Sequence, residues 1–190
     1  MDKRGFISFL DAIEKLKCNT RHSWTSSGRR ESVAEHCWRL AVAVMLCRDE
    51  YPRADIGRAV KMALVHDLGE AVLGDIPSFE KTDVDFGDED RAVSGLFSTL
   101  PDTYRDEFMS LYEEFRACVT EEAKLVRALD NLEAVLQHNE APIDTWLPLE
   151  YDLQLRYGED TAAFSEWTDG LRRELNEDTL TKIEKEGNDH

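Results

Sequence analysis

Ionisable side chains follow directly after an apolar run in the stretch MALVHDLGEAVLGDIP (62–77). His66, Asp67, Glu70 and Asp75 fall within ten residues there, and such groups are costly to bury unless they are paired or bind a metal. Imidazole nitrogens and carboxylate oxygens together suit divalent cations such as Mn²⁺, Co²⁺, Fe²⁺, Zn²⁺ or Mg²⁺. The stretch therefore indicates a candidate metal site.

Two further candidate ligands lie at the edges of other apolar runs. His36 alone would be interpreted as a hydrogen-bonded core histidine, and Asp130 alone could pair with Arg127 or Lys124 on its own helix. A His-Asp dipeptide is also weak by itself, since random order of this composition gives about half an occurrence. Together, two imidazoles and two carboxylates form a mixed ligand set that leaves open positions on a six-coordinate ion, as the activation of water requires.

Helices must position these groups, because apolar residues recur at three- and four-residue steps through most of the chain. We find no internal repeat and no alternating pattern that predicts a strand, so the expected fold class is all-α, a single-domain helical bundle. Ser32 and Glu35 fit a capping box at the start of one helix. On a continuous helix, His66, Asp67 and Glu70 would share one surface. The predicted helices span residues 5–17, 33–50, 54–72, 89–99, 102–116, 120–140, 151–157 and 160–185, and the predicted loops span 19–30 and 74–88.

Composition narrows the range of partners. The 190 residues carry a formal net charge of −17, which argues against a nucleic acid polymer as partner. No apolar stretch approaches the length of a membrane span, and the four scattered cysteines suggest reduced thiols, so we expect a cytoplasmic protein without membrane contact. Residues 15–30 hold five Lys or Arg and no acid. This segment is either a solvated basic loop or the place where a small anion binds.

Four motifs give the chain a more specific likeness. It resembles the HD-domain metal-dependent phosphohydrolases, in particular the branch that is similar to 5′-deoxynucleotidases. The resemblance implies one HD domain over residues 1–190, with a metal-binding core at about 31–137 and C-terminal helices at 150–186 that pack on it. The motifs are RHSW (21–24), ESVAEH (31–36), ALVHDLGEAVLGDIP (63–77) and EAKLVRALDNLEAVLQ (122–137).

The same resemblance assigns roles to individual residues. Glu70 and Asp75 match acidic groups that move protons and orient the attacking water, or that hold a second cation with the main-chain oxygen of Ile76. Arg21 matches a residue that binds the substrate phosphate, and Trp24 lies where relatives contact the nucleoside. The implied metal ligands are His36, His66, Asp67 and Asp130.

The implied activity is hydrolysis of 5′-deoxyribonucleoside monophosphates to deoxynucleoside and phosphate by a homodimer that uses a divalent cation of open identity. The alternatives are an HD-type phosphodiesterase, a nucleoside triphosphohydrolase, or a helical scaffold without catalysis. His138 lies beyond the leucine stripe of its helix, and we expect it to face solvent. The acidic segment 78–91 is expected to be a solvated connector, although a role in substrate access stays open.

Overall fold

Helices make up most of the chain in the computed structural model, which describes residues 1–77 and 82–186. The helices are α1 (Lys3–Ile13), α2 (Val33–Leu46), α3 (Ile56–Val65), α4 (Glu70–Leu73), α5 (Asp83–Phe97), α6 (Asp102–Ala117), α7 (Glu121–Glu140), α8 (Glu150–Leu153), α9 (Glu159–Ala162) and α10 (Glu166–Glu186). Short 3₁₀ turns cover Glu14–Lys17 and Ile143–Thr145. Two strands, β1 (Thr20–Trp24) and β2 (Arg30–Ser32), form an antiparallel pair.

The long helix α7 is the centre of the bundle. It packs against α2, α3 and α6 and also against α9 and α10. Its buried apolar residues include Leu125, Val126 and Leu129 in the main core, and Leu132 and Val135 in a second apolar cluster with α9 and α10. The all-α prediction is confirmed, and the assignment of residues 1–190 to a single domain stays a prediction. Within the described ranges, no helix is long and apolar enough to cross a membrane.

Local sequence signals explain where α2 begins. The Ser32 hydroxyl accepts a hydrogen bond from the main-chain N–H of Glu35, and the Glu35 carboxylate accepts one from the N–H of Ser32. Both halves of the expected capping box are therefore present, and they satisfy two amides that a helix start leaves without partners. This cap fixes the first turn of α2, from which His36 projects.

Three predicted boundaries are wrong. The region 19–30 is not only a loop, because β1 and the start of β2 lie within it. The pairing of these two strands has an irregular register, and the sequence shows no regular alternation of apolar and polar residues there. Helix α5 begins at Asp83, inside the predicted loop 74–88, of which residues 78–81 lie outside the described residues. The predicted helix 160–185 is divided into α9 and α10.

The predicted helix 54–72 is also interrupted, and this break shapes the site. α3 ends at Val65 with His66 as its cap, and the next turns are closed by bonds from Leu68 N to Val65 O and from Glu70 N to Asp67 O. Bonds of this i to i−3 type wind the chain at about three residues per turn, which aligns residues three apart. Asp67 and Glu70 are therefore brought together by a tight turn and not by the continuous α-helix that the sequence predicted.

Candidate metal centre

Three separate elements bring the four predicted ligands into one cluster, which we call the histidine–aspartate cluster: His36, His66, Asp67 and Asp130. Nε2 of His36 lies 3.0 Å from Oδ1 of Asp130, and Nε2 of His66 lies 3.1 Å from Oδ2 of Asp67. The two cross distances, from His36 to Asp67 and from His66 to Asp130, are 3.9 and 3.8 Å. Both imidazoles are buried, whereas the carboxylates are partly accessible.

The hydrogen bonds on the far side of each imidazole show that this donor set fits a cation. Nδ1 of His36 lies 2.5 Å from Oε2 of Glu133, and Nδ1 of His66 lies 2.9 Å from the main-chain oxygen of Ala63. Because both partners only accept, each Nδ1 carries a proton, and in a neutral ring Nε2 then presents a lone pair. Two nitrogen lone pairs would face carboxylate oxygens, an arrangement that a positive ion stabilises. A carboxylate or carbonyl behind a ligating histidine is the usual support of a metal site.

Without a cation, protons have to take its place. Burial lowers the pKa of His66, but the charges of Asp67 and Asp130 outweigh this effect and raise the pKa to about 10. Burial and Arg21 lower the pKa of His36, but hydrogen bonds to Asp130 and Glu133 outweigh them, and its pKa is raised. Although burial raises the pKa of Asp130, the two imidazoles hold it well below its usual range. The cluster therefore gathers positive charge on its histidines whenever it holds no metal.

A cavity of about 420 Å³ opens beside the cluster, and this volume is within the range of small-molecule sites. Asp67 and Asp130 line it, and so do Glu70, Asp75 and Ile76, the residues predicted to handle protons or a second cation. Glu70 is buried, and its main-chain oxygen accepts a hydrogen bond of 2.6 Å from Nδ2 of Asn19. The structure thus brings these three residues to the same cavity, while their roles stay predictions.

Arginines supply the positive charge on the cavity wall. Arg21 lies 3.4 Å from a carboxylate oxygen of Glu31 and 4.0 Å from one of Asp67, and it lines the cavity as predicted for a phosphate-binding residue. Arg116 and Arg127 also line the cavity, although sequence reasoning did not select either for binding. Three guanidinium groups thus lie among the six carboxylates of the cavity lining, and they are the groups that could contact a phosphate there.

Arg127 also has a structural role. Its guanidinium lies 3.8 Å from the centre of the Phe115 ring and 3.7 Å from Oδ2 of Asp130. The ion pair between Asp130 and Arg127, which the sequence left open as an alternative to metal binding, is therefore present together with the contacts of Asp130 to the two histidines. The Phe115 ring also meets the ring of His66 in a T-shaped contact, with centroids 4.9 Å apart.

Trp24 is not among the described residues that line the cavity. The Arg30 guanidinium lies 4.4 Å from the centre of its ring, and Gln137 donates a hydrogen bond to its main-chain oxygen. The predicted contact of Trp24 with the nucleoside stays a prediction. The expectation for His138 is wrong, because this residue is buried and lines the cavity, where Nε2 lies 2.9 Å from Oε1 of Glu150.

Glu133 and Glu31 were missed by sequence reasoning. Both are buried beside His36, and together the three residues form a compact group of ligand-type atoms. Burial and the nearby charge of Glu133 raise the pKa of Glu31 to about 7. Glu133 could have been found, since it follows Asp130 by three residues and therefore shares its helix face, whereas Glu31 gives no signal beyond its place in the ESVAEH motif.

Comparison with known proteins places this geometry in a family. A protein-family model described as "HD domain" matches residues 13–171 of the chain. The chain belongs to the HD-domain family. A solved structure from Magnetospirillum magnetotacticum MS-1, described as a "Predicted metal-dependent phosphohydrolase", is similar to this HD domain with a TM-score of 0.79 and 30% identity, and the match covers 94% of this chain and 93% of that one.

Curated relatives of this HD domain carry a more specific name. The mouse protein (Mus musculus) called 5′-deoxynucleotidase HDDC2 is 35% identical over 144 residues, which cover 72% of this chain and 69% of the mouse protein. The human protein (Homo sapiens) of the same name is 35% identical over 145 residues, which cover 72% of this chain and 68% of the human protein.

Proposed function

We propose that this HD domain is a metal-dependent phosphohydrolase that converts 5′-deoxyribonucleoside monophosphates to deoxynucleosides and phosphate. The observation that carries the proposal is the convergence of His36, His66, Asp67 and Asp130 beside a cavity that also exposes Arg21. Relatives named 5′-deoxynucleotidases, at about one third identity, support the substrate class.

The four residues of the histidine–aspartate cluster would hold the cation, which, when bound, supplies Lewis-acid activation of water and of the phosphate group. Two histidines and two aspartates accept several divalent ions, so the ligands do not select among Mn, Co, Fe, Zn and Mg. Glu133 and the Ala63 carbonyl fix the ring orientations that such binding needs.

The chain's own residues would position the phosphate and move the protons. Arg21 would bind the phosphate with two guanidinium N–H groups and offset its negative charge. Asp75, on the cavity wall, would orient the attacking water, and the buried Glu70 would donate a proton to the leaving 5′ oxygen. In a second version of the proposal, Glu70, Asp75 and the main-chain oxygen of Ile76 hold another cation.

We also propose a homodimer and a cytoplasmic location. The support for the dimer is an apolar face on α2, where Val42 follows Trp38 by four residues and is followed by Met45 and Leu46 after three and four. These four side chains are 65%, 40%, 58% and 80% exposed for Trp38, Val42, Met45 and Leu46. A contiguous exposed apolar face of this kind is typical of a protein–protein interface.

A substrate comparison tests the proposed activity. Purified protein, loaded in turn with Mn²⁺, Co²⁺ and Mg²⁺, is incubated with dAMP, dATP and a cyclic dinucleotide, and the products are identified by chromatography alongside an assay for inorganic phosphate. We expect phosphate from dAMP and little product from the other two. A linear dinucleotide would support the phosphodiesterase alternative, and inorganic triphosphate the triphosphohydrolase.

A variant separates catalysis from contamination. Asp67→Asn removes one proposed ligand and should abolish phosphate release, whereas Asp49→Asn changes an exposed aspartate on another part of the surface and should not. Folded wild-type protein that binds metal but acts on none of the three substrates would contradict the proposal and favour the non-catalytic scaffold.

A further inference from the structure

A second group of metal-ligand atoms lies on the wall of the same cavity. His22 on β1, His138 on α7 and Glu150 at the start of α8 all line it. We call these three residues the distal cluster. Oε1 of Glu150 lies 3.0 Å from Nε2 of His22 and 2.9 Å from Nε2 of His138, and the three ligand atoms lie within 4.8 Å of one another. We propose that the distal cluster is a second transition-metal site, with Zn²⁺ as its expected occupant.

The hydrogen bonds around His138 repeat the pattern of His66. Nδ1 of His138 lies 3.0 Å from the main-chain oxygen of Ala134, as Nδ1 of His66 does from that of Ala63 at 2.9 Å. A carbonyl oxygen only accepts, so Nδ1 carries the proton and Nε2 of a neutral ring presents its lone pair to Glu150. In that tautomer a cation would be held by both this nitrogen and the carboxylate, with the Ala134 carbonyl supporting the ring from behind.

The remaining contacts hold the ligands in place. The other oxygen of Glu150 accepts a hydrogen bond of 2.6 Å from the main-chain N–H of Leu147, and Glu150 is 1% exposed. Trp146 donates its indole N–H to the main-chain oxygen of His138 at 3.1 Å, and the His22 and His138 rings are stacked with centroids 6.2 Å apart. A rigid set of ligands costs little entropy when an ion binds.

The chemistry of the ligands predicts the kind of ion. Two histidines and one glutamate are a zinc ligand set that would leave one coordination position open. Nitrogen-rich sites bind Zn²⁺ or Co²⁺ in preference to Mg²⁺, which prefers oxygen and water. The distal cluster is separate from the histidine–aspartate cluster, since His138 follows Asp130 by eight residues, or about 12 Å along the axis of α7. The inference does not depend on the proposed function.

Metal stoichiometry tests the proposal without an activity assay. Protein stripped with a chelator is titrated with Zn²⁺ in competition with a chromophoric chelator, and bound metal is measured by elemental analysis after desalting. We expect two equivalents per chain in the wild type and one in His138→Ala. His66→Ala should also retain one equivalent, and the double variant none. Mg²⁺ should not compete for the site that His138→Ala removes.

The variants also distinguish a lost ligand from a lost fold. His22→Ala, on a different element, should lose the same equivalent as His138→Ala, and circular dichroism checks that both remain folded. Distal-cluster variants that bind as many equivalents of Zn²⁺ as the wild type, whatever the wild-type total, would overturn the proposal. That result would mean that His138 and His22 only form hydrogen bonds with Glu150 and do not bind a metal.

Discussion

The hydrogen bond from His36 to Glu133 offers a direct test of how the chain supports its proposed metal. Glu133 is buried, and its carboxylate lies 2.5 Å from Nδ1 of His36. In Glu133→Gln the amide oxygen still accepts the Nδ1 proton, but a charge-assisted bond becomes a neutral one, a difference of about 1–1.5 kcal/mol. That difference corresponds to roughly tenfold weaker metal binding, the lower end of the range usual for support residues.

Glu133→Ala removes the acceptor altogether. We therefore expect a loss of metal affinity that approaches ~100-fold. The assay is calorimetric titration of metal-free protein with Mn²⁺ at several pH values. The pH series is needed because losing the carboxylate also weakens proton binding to His36, which offsets part of the effect near neutral pH.

Glu140→Gln is the matched control. Glu140 lies on the same helix and pairs with Arg39 at 2.6 Å, and Arg39 also lies 3.7 Å from Glu133. The control thus removes an acidic partner of the same arginine without touching His36, and its dissociation constant should match the wild type. If Glu133→Gln bound Mn²⁺ within about twofold of the wild type at every pH, the argument from the supporting carboxylate would be refuted.

Four further outcomes follow from the geometry. Arg21→Ala should lower kcat/KM by roughly 100-fold or more while metal content stays unchanged, and loss of metal would mean that Arg21 is structural. The pKa of His66 is about 10 in the metal-free state, so a cation must displace a proton from this residue at neutral pH. Metal affinity should therefore rise about tenfold per pH unit for each proton displaced, up to about pH 10. Titrations in buffers of several pH values measure this slope. Gly69→Ala would place a methyl 2.8 Å from Cγ2 of Val93, and a loss of about 1–3 kcal/mol of unfolding free energy should be partly restored by Val93→Ala. Trp38→Asp should shift the proposed dimer to monomer in light scattering, and an unchanged mass would place the interface elsewhere.

The chemistry of the candidate centre could be predicted better than the path of the chain through it. Helix periodicity places Asp130 at the margin of the stripe that contains Leu129 and Leu132, so its position at the edge of the core followed from the pattern. The break after Val65 could not be predicted, because an α-helix and a tight 3₁₀ turn both align residues three apart. The sequence therefore predicted correctly that Asp67 and Glu70 lie close together, but it predicted a continuous helix where the backbone forms tight turns.

The distal cluster shows a different limit. A helix pattern alone assigns His138 to the edge of α7, and nothing local indicates that α8 returns to cover it. Burial of this residue results from Glu150 and Trp146, which follow it by twelve and eight positions through a segment of 3₁₀ turn and loop. The pairing of β1 with β2 was not predicted either, because the two strands are short and their register is irregular.

The two histidines of the proposed centre are anchored by different kinds of partner, and this gives them unequal evolutionary freedom. The backbone oxygen of Ala63 restrains His66, so no side-chain replacement at that position deletes the acceptor. His36 depends on a carboxylate that a single codon change can neutralise. Substitution of Glu133 can therefore change how strongly His36 would donate to the proposed ion. The support of His66 stays the same for as long as the end of α3 keeps its shape.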